Sequence, residues 1–210
     1  ALPISLNACE ESGLPVVQCY GMTETCSQFV ALSAEEAPYH LGSVGKPLFT
    51  TQLRLVGEHH EIEIQTPALT PGYLNQPAKF AAKHDGDWYR TGDVGHFDED
   101  GFLYVDGRLD EMIISGGENI FPAEVENVLR QYPGIQEIAV VGRNDQQWGA
   151  VPVAVVVSKQ PVDFQQLEAF GREHLAHYKV PKVYLQTDAL PKNASGKVQK
   201  FRLQDLVANA

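Results

Sequence analysis

Residues 107–126 read GRLDEMIISGGENIFPAEVE, which places a β-branched run, a Gly-Gly pair and a helix start in direct succession. Met112, Ile113 and Ile114 predict a short buried strand. The Ser115-Gly116-Gly117 step permits a positive φ and lets another molecule approach the backbone closely. Pro122 is typical of the first turn of a helix, and an apolar face follows at helical spacing through Val125, Val128, Leu129 and Tyr132. The stretch therefore predicts a strand–turn–helix unit, whose glycines serve either a plain turn or a ligand contact.

The composition around this stretch is that of a folded globular protein. The 210 residues are 43% hydrophobic and 20% charged, which argues against disorder. The net charge of −11 without a Lys/Arg run disfavours a nucleic-acid partner or an anionic membrane. No apolar run approaches the roughly 18 residues of a membrane-spanning helix. Cys9, Cys19 and Cys26 form no CxxC pair, so we expect a cytoplasmic, reducing environment.

The chain begins Ala-Leu-Pro without an initiator methionine, which favours a piece of a longer protein. Residues 1–41 have an α/β pattern: a helix ends near 6–12 with Gly13 as its stop, and Val16-Val17 predicts a short buried strand. Residues 19–28 then predict a polar loop at the carboxyl end of that strand, where open α/β sheets place ligands.

From residue 42 to 109 the pattern changes to short alternating segments. Two hairpins are predicted, one turning at 57–60 and one at Asp100-Gly101. This region predicts an antiparallel barrel or a small sandwich.

Residues 110–210 predict a separate α+β domain. A helix starts at Pro122, strands lie near 137–141 and 151–157, and Asp163 caps a second helix. An extended segment, a polar loop at 192–197 and a short terminal helix at 201–207 complete it. The predicted fold class is therefore mixed α+β and α/β, with two domains, 1–109 and 110–210.

Two segments in the first domain carry candidate nucleotide chemistry. Tyr20-Gly21-Met22-Thr23-Glu24 combines a stacking ring, a hydroxyl and a possible metal-ligating carboxylate, although a plain turn explains the same residues. Asp93, in Tyr89-Arg90-Thr91-Gly92-Asp93, can accept both ribose hydroxyls or simply cap its own loop.

Two further segments present cations. Arg108 lies at the predicted domain boundary, where a surface salt bridge is the alternative. Lys197 ends Pro191-Lys192-Asn193-Ala194-Ser195-Gly196-Lys197, which is not a P-loop because proline stands where the first glycine is required. His174 and His177 lack the partners of a metal set, and no G-x-S-x-G is present.

Taken in order, these segments resemble the later motifs of the adenylate-forming superfamily, which comprises acyl- and aryl-CoA synthetases, peptide-synthetase adenylation domains and luciferases. The matching segments are YGMTE, YRTGD, the stretch 107–126 and LPKNASGK. The wording of GMTETCSQ, LGSVGKPL, WGAVPVAVVV and YKVPK is similar to that of the 2-succinylbenzoate–CoA ligases of menaquinone biosynthesis. The resemblance implies an AMP-forming acid–CoA ligase that uses ATP, Mg²⁺ and CoA and acts through an acyl-adenylate.

The resemblance also implies roles for individual residues. In the nucleotide site Tyr20 lies at the adenine with Gly21 and Met22, Thr23 bonds the α-phosphate, Glu24 holds Mg²⁺, and Asp93 and Arg108 bind the ribose. Lys197 assists adenylation, and Asp110 is the hinge about which the small domain swings. Ser115, Gly116 and Gly117 line the passage for the CoA thiol. From position alone, Thr25, Ser27 and Gln28 are candidates for the acyl pocket.

The chain departs from the family pattern at three positions: Cys19 replaces a glycine, Glu111 an aspartate and Lys200 an arginine. The family's phosphate-gripping loop and most of its large domain precede the equivalent of Ala1, so we expect the 210 residues alone to be inactive. They would need the rest of their own large domain, a carboxylic acid, ATP and CoA as partners.

Three alternatives stay open. The chain could belong to another aryl- or fatty-acyl-CoA ligase or to an amino-acid adenylation domain. It could also be a non-catalytic nucleotide- or CoA-binding module, although keeping Glu24, Asp93 and Lys197 together argues against that. The oligomeric state does not follow from the sequence.

Overall fold

The computed structural model describes residue 9, residues 12–14 and residues 16–208. The chain divides into two compact units, Ala1–Asp110 and Glu111–Ala210. The division lies one residue after the boundary predicted from the sequence. Each unit has its own sheets and core, and each is described by itself.

The first unit begins with a small antiparallel sheet of three strands, β1 (Cys19–Gly21), β2 (Gln28–Ala31) and β3 (Lys46–Pro47). A single 3-10 turn, Thr23–Thr25, joins β1 to β2. The prediction of one continuous polar loop at 19–28 was therefore wrong at both ends, because Cys19 pairs with Ala31 and Gly21 with Gln28.

The prediction of a buried strand at Val16-Val17 was also wrong. Both side chains are exposed, at 41% and 46%, and neither residue is in a strand. A β-branched pair needs a partner strand and a covering layer to become a buried strand, and the described residues supply neither. The helix predicted near residues 6–12 falls mostly outside the described residues.

The second sheet of this unit is antiparallel and has five strands: β4 (Gln52–Val56), β5 (Glu61–Gln65), β6 (His84–Asp85), β7 (Trp88–Phe97) and β8 (Leu103–Arg108). Its order is β4-β5-β7-β6, with β8 also paired to β7. Both predicted hairpins are confirmed, and Leu53 faces Ile64 across the first of them. Closure of these strands into a barrel stays a prediction.

The core of the first unit joins the two sheets. Phe29 and Val30 of β2 are buried with residues of β5, β7 and β8, namely Ile62, Ile64, Tyr89 and Leu103. A short helix, α1 (Pro77–Ala81), contributes Phe80 to the margin of this core. Because β2 is buried against the larger sheet, the Thr23–Thr25 turn is held close to β7.

The second unit is a five-stranded sheet with helices on both faces. Its strands are β9 (Ile113–Ser115), β10 (Glu118–Ile120), β11 (Glu137–Asp145), β12 (Gly149–Val157) and β13 (Val183–Thr187). Its helices are α2 (Pro122–Leu129), α3 (Phe164–His174) and α4 (Lys200–Ala208). The order is β10-β9-β12-β11, and β13 pairs with β12 in parallel after the α3 crossover.

Alternation along β12 explains the layers, because successive side chains of a strand point to opposite faces. Ala154 and Val156 pack with α2 and α3, whereas Val153 and Val155 pack with Leu203 of α4. The helix predicted from Pro122 is confirmed, and so is the cap of α3. The Asp163 side chain accepts hydrogen bonds from the backbone nitrogens of Gln165 and Gln166.

The mixed class predicted from the sequence is confirmed: the sheets of the first unit are antiparallel, and that of the second unit is antiparallel except for the parallel pair of β12 and β13. Over the part of the chain that the structure describes, every helix is too short or too polar to cross a membrane.

Candidate active site

Tyr20, Asp93 and Arg108 form one hydrogen-bonded cluster in the first unit. The Tyr20 phenol donates to Oδ2 of Asp93 at 2.5 Å, and Nη1 of Arg108 donates to Oδ1 of the same carboxylate at 3.1 Å. Asp93 and Arg108 are partners across β7 and β8. Pairing in the larger sheet thus joins Asp93 to Arg108, and Tyr20 of β1 in the smaller sheet reaches the same carboxylate. The sequence analysis had selected these three residues from separate motifs.

Burial and neighbouring charges shift the pKa values of Tyr20 and Arg108. Burial, followed by the charge of Asp93, raises the pKa of the Tyr20 phenol far above its ordinary value. Burial lowers the pKa of Arg108, but its bonds to Asp110 and Asp93 outweigh burial and raise it. At neutral pH Tyr20 is thus a neutral phenol and Arg108 a permanent cation.

Gly92 lies next to the Arg108 guanidinium, and its lack of a side chain leaves space for that group. Its φ is +78°, and a Cβ there would lie 3.1 Å from Nη2 of Arg108. A side chain at this position would strain the backbone and also press on the guanidinium. The glycine of YRTGD therefore leaves space for the guanidinium beside Asp93.

Glu24 lies in the 3-10 turn and is held by two tyrosines that the sequence analysis did not select. The Tyr73 phenol donates to Oε1 of Glu24 at 2.5 Å, and the Tyr89 phenol lies 2.9 Å from that of Tyr73. Burial raises the pKa of Glu24, but the Tyr73 hydrogen bond and a backbone hydrogen bond together lower it below its ordinary value. Glu24 is therefore an ionised carboxylate with a fixed orientation.

The other residues of this turn differ in accessibility. Thr23 is exposed, so its hydroxyl can meet a ligand. Thr25 is buried, and its hydroxyl donates to the backbone oxygens of Met22 and Ser27 at 3.0 and 2.7 Å. Ser27 and Gln28 are exposed and hydrogen-bond to each other. The turn is thus stabilised by Thr25, whose pocket role stays a prediction.

The Gly-Gly turn of the second unit connects β9 to β10. Gly116 and Gly117 have φ values of +61° and +90°, as the sequence analysis expected of this pair. The Gly116 nitrogen donates to the backbone oxygen of Trp148 at 2.9 Å. A Cβ on Gly116 would lie 2.7 Å from Cε3 of Trp148, whereas a Cβ on Gly117 would meet nothing within 4 Å.

Trp148 is a feature that sequence reasoning missed. Its ring is 47% exposed and lies directly against Gly116. The signal available in the sequence was the Trp148-Gly149 pair before a buried strand, which the sequence analysis did not include in the site. The turn thus presents backbone without side chains next to a partly exposed indole.

Lys197 lies on an exposed loop organised by one side chain. Oδ1 of Asn193 accepts hydrogen bonds from the Ser195 nitrogen, the Ser195 hydroxyl and the Lys197 nitrogen, at 2.8 to 3.0 Å. A backbone bond from Asn193 to the Lys197 oxygen, at 2.9 Å, closes the loop. The loop therefore has a defined backbone, while the lysine side chain stays in solvent.

Two family models match the chain. The model described as AMP-binding enzyme matches residues 3–74, and that of the AMP-binding enzyme C-terminal domain matches residues 124–197. The chain belongs to the AMP-binding enzyme family. Three of the four site motifs lie wholly or partly within the matched residues, and YRTGD lies between the two matches.

Two relatives of the chain are CoA ligases named for the same acid, 2-succinylbenzoate. The 2-succinylbenzoate–CoA ligase of Bacillus licheniformis is 47% identical over 210 residues, which cover 96% of this chain and 44% of that protein. The o-succinylbenzoate CoA synthetase of Bacillus subtilis, solved with its acyl-adenylate intermediate, superimposes with a TM-score of 0.93 at 43% identity.

The same Bacillus subtilis enzyme solved with ATP and magnesium gives a TM-score of 0.91, also at 43% identity. Each of these two structures covers 98% of this chain, which in turn covers 44% of the solved chain. The chain thus spans less than half the length of the relatives that it matches.

Proposed function

We propose that this chain is part of an AMP-forming acid–CoA ligase whose acid is 2-succinylbenzoate. The single observation that carries the proposal is the Tyr20–Asp93–Arg108 cluster, which is a ready-made nucleoside site in a chain of the AMP-binding enzyme family. The similarity to ligases named for 2-succinylbenzoate supports the choice of acid. The substrates are therefore ATP, CoA and this aromatic dicarboxylate.

The cluster suits a ribose and its base. A carboxylate can accept hydrogen bonds from two vicinal hydroxyls, and Asp93 is the carboxylate of the cluster. Arg108 balances its charge and fixes its rotation through Nη1. The Tyr20 ring offers a face for adenine, with Gly21 and Met22 as the adjoining backbone.

Glu24 suits Mg²⁺. The cation prefers oxygen ligands and is commonly held by one or two carboxylates together with substrate phosphates. No group of three His, Cys, Asp or Glu side chains that could hold a metal occurs in the part of the chain described, so Glu24 fits such a shared site rather than an all-protein cage. When bound, Mg²⁺ neutralises phosphate charge, and exposed Thr23 can donate to the α-phosphate.

Lys197 supplies the second cation that adenylation requires. A carboxylate that attacks a polyphosphate brings two anions together, so positive charge at the reacting oxygens lowers the barrier. Lys197 would hold its ammonium between the acid and the α-phosphate. The Asn193 bonds fix the backbone from which that side chain extends.

The Ser115–Gly117 turn suits the CoA step, which needs a narrow passage and no further charge. The absence of side chains at Gly116 and Gly117 leaves the backbone open, and the exposed Trp148 ring provides an apolar wall. Asp110 as the pivot and Thr25, Ser27 and Gln28 as acyl-pocket residues complete the proposal. A cytoplasmic location agrees with three cysteines that are all free thiols.

The test uses Lys197→Ala in the full-length protein. We expect ATP–pyrophosphate exchange with 2-succinylbenzoate to fall by orders of magnitude, while preformed acyl-adenylate is still converted to the CoA thioester. A non-catalytic binding module would give no exchange in the wild type with any acid of a panel of aryl and fatty acids. Exchange with another acid alone would refute 2-succinylbenzoate as the substrate.

The chain of 210 residues provides its own comparison. We expect no pyrophosphate exchange from it alone, because the relatives carry more than half of their length outside the matched region. Exchange by the purified chain would contradict this expectation.

A further inference from the structure

Lys200 occupies the most buried charged cluster of the second unit that the proposed reaction does not use. Its Nζ lies 2.7 Å from Oε2 of Glu111 and 2.9 Å from Oε1 of Glu126. Its side chain is 18% exposed. Glu126 also accepts a hydrogen bond from the Val140 nitrogen at 2.8 Å.

The three residues come from three segments with different roles. Lys200 begins α4, three residues after Lys197. Glu111 is the first residue of the second unit. Glu126 lies in α2, the helix that follows the turn at 115–117. One ammonium thus ties the lysine loop to both ends of the segment that carries the Gly-Gly turn.

The two carboxylates need this cation. Burial lowers the pKa of Lys200, but the charge of Glu126 and the hydrogen bond to Glu111 outweigh burial and raise it. Lys200 is therefore a cation at neutral pH. Without it, two buried or half-buried carboxylates would face each other, and one-sided removal of a buried ion-pair partner is strongly destabilising.

Two of the three departures noted in the sequence lie at this contact. Glu111 is one methylene longer than the aspartate of the family pattern, and Lys200 replaces an arginine. In this structure those two residues bond directly to each other.

We propose that Lys200 is a positioning residue, which fixes the Lys197 loop relative to residues 111–126 so that the two move as one body. The expected effect of Lys200 on catalysis rests on the proposed function. Its anchoring of the two segments rests on the geometry alone. Lys200 itself touches neither substrate nor reacting atoms. Its role is to hold the loop and the Gly-Gly turn in a constant relation.

The chain offers a matched control. Lys179 also pairs with a glutamate of α2, Glu124, at 2.7 Å, and its side chain is 20% exposed. It contacts the same helix from the 3-10 turn at His177–Lys179, and its ion pair includes neither Glu111 nor a residue of the 193–197 loop. Loss of either lysine removes one partly buried ion pair of α2. Of these two lysines, however, only Lys200 connects the Lys197 loop to the segment 111–126 that carries the Gly-Gly turn.

The experiment compares Lys200→Met, Lys200→Arg and Lys179→Met by hydrogen exchange in the 210-residue chain. We expect Lys200→Met to raise exchange about tenfold or more at 111–117 and at 193–199, the equivalent of about 1.4 kcal/mol of local stability. Amides that exchange by local opening without breaking the Lys200 contacts, such as those at the ends of α3, should keep wild-type rates. Lys200→Arg should restore most of the protection, and Lys179→Met should leave both segments unchanged.

Three results would overturn the proposal: unchanged exchange at both segments in Lys200→Met, equal effects of the two Met variants, or a uniform rise across the unit. If Lys200→Met does not fold, Glu111→Gln replaces it, because that variant keeps the Lys200–Glu126 pair. It should raise exchange at 111–117, and the wild-type rate there would refute the proposal.

Kinetics in the full-length protein separate this inference from the proposed function. We expect Lys200→Met to lower the kcat of pyrophosphate exchange at least tenfold with little change in the KM for ATP, because the ribose site lies in the other unit. Lys200→Arg should recover kcat. A wild type without exchange activity would refute the ligase, whereas the hydrogen-exchange pattern would still test the anchoring.

Discussion

The contact between Gly116 and Trp148 yields a stability prediction that does not depend on any ligand. In Gly116→Ala the new Cβ would lie 2.7 Å from Cε3 of Trp148, at a φ of +61°. The left-handed backbone costs about 1–2 kcal/mol for a residue with a Cβ. Because the indole is half exposed and can shift, we place the clash at the low end of overpacking, about 1 kcal/mol.

Gly117→Ala is the matched control. Its φ of +90° imposes the same kind of backbone strain, but a Cβ there meets nothing within 4 Å. We therefore expect Gly116→Ala to be more destabilising than Gly117→Ala by about 1 kcal/mol, a difference of roughly 4–8 °C in Tm for a unit of this size.

The assay is hydrogen exchange of the β12 amides, which report global unfolding of the second unit alone. In a Trp148→Ala background the additional destabilisation caused by Gly116→Ala should disappear. Gly116→Ala should then destabilise that variant no more than Gly117→Ala destabilises the wild type. Equal effects of the two glycine variants in the wild type would refute the assigned clash. The clash would also be refuted if the additional destabilisation by Gly116→Ala persisted in the Trp148→Ala background.

Three further predictions concern single contacts. Asp163→Ala should destabilise α3 by about 1 kcal/mol in urea unfolding, with Asp163→Ser close to wild type; equal losses would exclude a capping role. Tyr73→Phe should return the pKa of Glu24 toward its ordinary value; since the folded pKa is lowered, the wild-type stability advantage should be full at neutral pH and fade as the pH falls through that pKa in a urea series. A pH-independent difference would contradict this. Asn193→Ala should speed amide exchange at Lys197, and an unchanged rate would show that the loop does not depend on that side chain.

Much of the fold could be predicted from local sequence patterns. Leu53 and Ile64 face each other because period-2 alternation and a turn sequence fix a hairpin without distant information. Asp163 begins α3 because its side chain satisfies backbone donors only a few residues away. Such features are decided within about ten residues of chain, so the sequence could predict them.

Features that depend on distant partners were missed. Val16 and Val17 have strong β propensity, yet without a covering layer they lie exposed. The phenol that holds Glu24 comes from Tyr73, 49 residues away. Lys200 and Glu111 are 89 residues apart. Each contact results from sheet order and packing, which no window of sequence contains.

The sequence predicted which residues belong to the candidate site, but not how their side chains are arranged. Tyr20, Asp93 and Arg108 were selected from separate motifs through a family resemblance, and they meet in one cluster between residues of the two sheets of the first unit. That Thr25 would be buried as a brace of its own turn did not follow from its position in the motif. A hydroxyl beside a motif predicts polarity but not the direction in which the oxygen points.

The ion pairs on either side of the Asp110–Glu111 peptide have different exposure, and this has a consequence for ionic strength. Arg108 binds Asp110 at 3.0 Å with side chains 40% and 71% exposed, whereas Lys200 binds Glu111 in a largely buried setting. Added salt screens exposed charges, with a Debye length of about 8 Å at physiological strength, and affects buried pairs much less. Added salt should therefore weaken the Arg108–Asp110 pair more than the Lys200–Glu111 pair, so that high ionic strength loosens Asp110 while Glu111 stays held.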